Sequence, residues 1–74
     1  MIASLQDYET DNTFPIARAK ALANGFALET IGELEYVLQS PDGKMQTFDL
    51  TGDRSTTVFE LVEAAIKIWK RRNG

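Results

Sequence analysis

Residues 26–50, FALETIGELEYVLQSPDGKMQTFDL, decide the fold. Apolar side chains recur there at every second position, the period of a half-buried strand. Three segments emerge, 26–31, 34–40 and 44–50. Ser40-Pro41-Asp42-Gly43 separates the last two: proline presets the first corner, and Gly43 supplies the positive φ that closes a hairpin. A Pro41-Asp42-Gly43 loop pairs Ser40 with Lys44, Leu38 with Gln46, Tyr36 with Phe48 and Leu34 with Leu50.

At the first turn the separation of faces sets the register. A two-residue Gly32-Glu33 loop sets Glu29 beside Tyr36 on the core face. A three-residue connection, Gly32-Glu33-Leu34, pairs Ile31 with Glu35 instead. It gathers Phe26, Leu28, Thr30, Tyr36, Leu38, Phe48 and Leu50 on one face. Ala27, Glu29, Ile31, Glu35, Val37, Gln39, Met45, Thr47 and Asp49 then share the other. Because a slip of one residue exchanges the faces, this cleaner separation predicts the three-residue connection.

Helical patterning flanks the strands. Asp11, Asn12 and Thr13 offer N-cap oxygens for a helix over 15–24, with Pro15 tolerated in its first turn. Asn24-Gly25 ends it, Gly25 being free to adopt the left-handed conformation. A second helix is predicted over 58–71, with Thr57 and Glu60 as a capping box. Its apolar arc, from Val58 through Leu61, Val62, Ala65 and Ile66 to Ile68 and Trp69, covers about half the circumference. Residues 1–12 form an N-terminal arm, where Ile2, Leu5 and Tyr8 with a Ser4–Asp7 box suit a short helix. Residues 13–74 form a single α-β-β-β-α domain.

The fold class is therefore α+β: a two-layer sandwich with a three-stranded antiparallel meander and both helices on one face. Tyr36, Leu38, Phe48, Val62, Ile66 and Trp69 are its expected core. Over residues 16–72 the order of elements resembles that of double-stranded-RNA-binding domains and of HicA-type toxins. Gly25-Phe26 and Pro41-Asp42-Gly43 are similar to many sequences of the latter. HicA-type toxins use a histidine near the first strand turn, where this chain has Gly32-Glu33-Leu34. The RNA-binding domains begin the last helix with lysines, where this chain has Thr57, Glu60 and Glu63. The likeness is topological and transfers no functional residue.

The chain has 74 residues, no cysteine and no histidine. Disulfides and thiolate metal sites are excluded, and the commonest general base is missing. Ser4, Ser40 and Ser55 have no histidine to activate them, and Gly32, Gly43 and Gly52 are isolated turn glycines rather than a phosphate loop. Asp49, Thr51 and Asp53 do not match the ligand spacing of a calcium loop. No enzyme activity, metal or cofactor is expected. No apolar stretch approaches the ~20 residues of a membrane span, and the acidic start lacks the basic leader of a secretory signal. A cytoplasmic location is the expectation.

Charge is distributed unevenly. Residues 1–64 hold Arg18, Lys20, Lys44 and Arg54 against all eleven acids, whereas 65–74 hold Lys67, Lys70, Arg71 and Arg72 and no acid. The outer sheet face carries Glu29, Glu35 and Asp49, with Glu33 at its edge and Ile31, Val37 and Met45 interspersed as apolar anchors. Such a face suits a non-catalytic protein-binding module, a regulator or inhibitor docking on a basic partner. Compact phage-encoded inhibitors, anti-CRISPR proteins among them, occupy nucleic-acid grooves in this style, a comparison that rests on size and acidity. The plainer reading is a solvated face whose acids discourage edge pairing. The alternative function is a nucleic-acid-binding regulator gripping phosphates with Lys67, Lys70, Arg71 and Arg72. The broad arc of the last helix and the open sheet edges further suggest a homodimer covering Leu61, Ile68 or an edge strand.

Overall fold

In the computed structural model, residues 10–53 and 55–73 are described. The expected arm helix around Ile2, Leu5 and Tyr8 lies outside them. The elements run α1 (Phe14–Ala23), β1 (Ala27–Gly32), β2 (Glu35–Gln39), β3 (Met45–Asp49) and α2 (Val58–Asn73). The sheet is an antiparallel meander in the order β1-β2-β3. The α-β-β-β-α order and the α+β class are those the residue pattern predicts.

Thr13 is the N-cap of α1, and Pro15 stands in its first turn, where an N–H would have no helical partner. At the other end Gly25 N donates to Leu22 O (3.1 Å) and Phe26 N to Ala21 O (2.8 Å). These are the two bonds of a Schellman motif, and Gly25 takes the φ of +82° that the motif requires. Phe26 thereby leaves the helix pointing into the core, where it and Ala21 are both buried.

The β2–β3 register is the expected one, with Tyr36 opposite Phe48 and Leu38 opposite Gln46. Between β1 and β2 the predicted pairing holds from Ala27 opposite Gln39 to Thr30 opposite Tyr36. At the turn itself it is corrected. Glu35 pairs with Gly32 rather than Ile31, and a register shift falls between Thr30 and Gly32. The connection is a tight turn at Glu33-Leu34 in which Leu34 adopts a φ of +55°. A non-glycine residue there costs about 1–2 kcal/mol. Leu34 is held in place by packing against the core and by accepting the Leu50 N–H at 2.8 Å.

The core joins Ala17 and Ala21 of α1, Leu28, Tyr36 and Leu38 of the sheet, and Val58, Val62 and Ile66 of α2, together with Phe26 and Leu50. Alanine on α1 lets that helix lie close to its neighbours. Of the expected core, Tyr36, Leu38, Val62 and Ile66 are buried, whereas Phe48 and Trp69 are only half-buried. The reason is coverage: two helices blanket β1 and β2, and the inward side of β3 is left partly bare, with Gln46 exposed.

Asp11 ties the layers together. Its Oδ1 accepts from Thr13 N (2.8 Å) and Thr13 Oγ1 (2.7 Å), and its Oδ2 accepts from Val58 N (3.1 Å). Its own N–H donates to the Tyr36 hydroxyl at 2.6 Å. Thr13 Oγ1 in turn accepts from Phe59 N, and Thr57 Oγ1 accepts from Glu60 N. The N-terminus of α2 is thus capped by the expected Thr57 and also by two residues from the entry to α1. Desolvation opposes charge on Asp11, but the bonds from Thr13 and Val58 outweigh it and hold its pKa below the usual carboxylate value.

Candidate functional site

Among the described residues the outer face of the sheet carries no helix, since α1 and α2 pack on the other side. Glu35 lies directly opposite Asp49, as the register predicts, so two carboxylates share one cross-strand position. Like charges at such a cross-strand position disfavour each other. Asp49 stays ionised readily, because the Thr51 N–H donates to it at 2.9 Å and lowers its pKa. No cation bonds to Glu35 or Asp49 among the described residues.

The other predicted positions divide. Glu29 is exposed but paired, its Oε2 lying 2.9 Å from Arg18 Nη2, so part of the expected acidity is neutralised from α1. Glu33 is exposed in the first turn, and Val37 is half-buried at the centre of the face. Ile31 (48% exposed) and Met45 (70%) stand at opposite edge strands as apolar contact points. The face therefore brings together Glu35, Val37 and Asp49, with Ile31, Glu33 and Met45 around them.

Lys67, Lys70, Arg71 and Arg72 are all exposed at the end of α2, where cations suit the helix dipole. They form no ion pair among the described residues. Arg72 is separated from the rest by function of position, since it borders a groove between α2 and β3.

That groove, of about 680 Å³, has Leu38, Phe48, Leu61, Ile68 and Trp69 on its walls and Lys44 with Arg72 at its border. Trp69 is fixed on the Phe26 ring edge-on, with centroids 6.0 Å apart. The ring is packing against the core rather than standing free as a base-stacking platform. Alternation places Phe48 in the interior, whereas it lines this groove. The signal of the groove was present in the width of the apolar arc on α2, which exceeds what one sheet contact requires.

Among the described residues no three His, Cys, Asp or Glu side chains are gathered as a metal site would need. No described helix is long and apolar enough to cross a membrane. No family model matches the chain, and neither a curated protein nor a solved structure does.

Proposed function

We propose that this chain is a small non-catalytic binding module that docks the outer face of its sheet on a basic surface of a protein partner. The observation that carries this reading is the face on which Glu35 and Asp49 oppose each other with neither a covering helix nor a paired cation among the described residues. A basic partner side chain placed there is attracted by both carboxylates. Val37, Ile31 and Met45 supply the apolar contact that orients the partner. The role is that of a regulator or inhibitor, and a nucleic-acid groove on the partner fits the acidic surface.

Asp49→Lys tests this. Parent and variant are compared as baits, and the captured protein is expected to be lost with the variant while circular dichroism stays unchanged. The rival reading, nucleic-acid binding through the exposed cations of α2, responds in the opposite direction. Tighter binding of RNA or DNA by Asp49→Lys, with a steep salt dependence already present in the parent, overturns the docking role.

A further inference from the structure

We propose that the open edge of β3 and the groove beside it form the interface of a two-fold dimer of this chain. The β3 strands pair antiparallel about Thr47, and the α2 helices pack antiparallel across the groove.

Hydrogen-bond alternation defines the pairing. Ser40 N donates to Lys44 O, and Leu50 N donates to Leu34 O. Residues 44, 46, 48 and 50 therefore turn their backbone groups toward β2, and the residues between them turn away. Met45, Thr47 and Asp49 aim N–H and C=O groups out of the sheet, and nothing among the described residues bonds to them. An axis at Thr47 sets these three against Asp49, Thr47 and Met45 of the second copy, and each side chain keeps its face. Moving the axis to Gln46 or Phe48 leaves one of the three without a strand partner. Asp49 falls opposite Met45 rather than its own twin, so no like-charge pair is created.

Charge along α2 selects a second copy as the occupant. Glu60 lies exposed in its first half, where Glu63 is paired with Lys20 of α1 at 3.1 Å, and Lys67, Arg71 and Arg72 lie exposed in its second. Trp69 meets Phe26 at the sheet end where β3 begins, and Val58 meets Asp11, which is bonded to Tyr36 near the end where β3 finishes. The helix thus runs opposite to β3. The same axis then sets two α2 helices antiparallel, with Glu60 of each toward the basic end of the other. Their facing residues are Leu61, Ala64, Ala65 and Ile68, and the small alanines permit close approach. Ile68, 51% exposed in the single chain, is covered.

Sedimentation equilibrium of the full chain from low to high micromolar concentration tests the proposal. The expected mass is twice the 8.3 kDa of one chain. Thr47→Pro leaves every bond to β2 in place, because the lost N–H points outward. It should raise the dimer dissociation constant by at least about tenfold, a change of ~1.4 kcal/mol, with an unchanged circular dichroism spectrum. Ile68→Glu attacks the helix side and should act likewise, so it decides the matter if Thr47→Pro does not fold. A parent of 8.3 kDa at every concentration overturns the proposal, even if another protein adds a strand to β3. So does a dimer that both folded variants leave intact.

Discussion

The two edges of this sheet are finished differently. β1 lies under α1, buries Leu28 completely, breaks its register beside Ile31, and has the Arg18–Glu29 ion pair across its flank. Among the described residues β3 has no proline, no bulge and no helix over it, and its side chains are exposed at every position except Phe48. Bulges, charges and covering elements are the means by which proteins keep an edge from pairing. The β1 edge carries a bulge and a covering helix, whereas the β3 edge has only the charge of Asp49, so the two sides of the meander differ.

The contrast is sharpest in the core beneath the edges. Leu28→Ala removes a fully buried side chain from β1 and should cost about 2–5 kcal/mol, comparable to the ~3–5 kcal/mol available to a domain of this size. Phe48→Ala, on half-buried β3, should cost visibly less despite the larger side chain. Urea denaturation measures both, and equal losses would mean that β3 is covered as fully as β1.

The next effect concerns the junction on the covered side. Asp11→Ala should cost about 1–2 kcal/mol at pH 7, the loss of a helix cap. Because Asp11 has a depressed pKa in the folded state, its contribution is present above the unfolded carboxylate value near 3.9 and fades as pH falls through the lower folded value. The stability gap between parent and variant should therefore narrow below about pH 4 in denaturation curves taken along a pH series. A gap independent of pH would show that the carboxylate charge contributes nothing.

Asp49→Lys probes the β3 side. It replaces the like-charge pair with an attractive one, at the loss of the Thr51 N–H bond, and should leave the melting temperature equal or slightly higher. A fall would indicate that the lost bond outweighs any repulsion between Glu35 and Asp49. The smallest change belongs to the turn of the β1 edge. Leu34→Gly relieves a positive φ worth about 1–2 kcal/mol and removes a partly buried side chain worth a similar amount. The net change in melts should stay within about 1 kcal/mol.

Much of this architecture is legible in the residues because local chemistry and fold agree. Alternation over 26–50 fixed the faces, and Pro41-Asp42-Gly43 fixed the β2–β3 register to the residue. Asn24-Gly25 marked the end of α1 within one position. The bulge at Ile31 escaped notice because its left-handed position is filled by Leu34, where turn chemistry favours glycine. Only tertiary packing explains a leucine there. For the acidic face, the opposition of Glu35 and Asp49 follows from register, but the neutralisation of Glu29 by Arg18 depends on how α1 lies across β1. The groove was hidden for a related reason: periodicity shows that α2 has a broad apolar arc, not which strand it leaves bare.

The Asp11 junction also bears on how the chain reaches this structure. The bond from Val58 N to Asp11 closes a separation of 47 residues, with all three strands between its ends. Closing so long a loop carries an entropic cost that only later contacts offset, and non-local closures of this kind slow folding. During synthesis α1 and the meander emerge before the segment that completes the cap. The hairpins can form early from local turn signals, but the cap on α2 is complete only once Val58 has met Asp11. The two ends therefore settle together, and the last helix acts as the clasp of the domain rather than its seed.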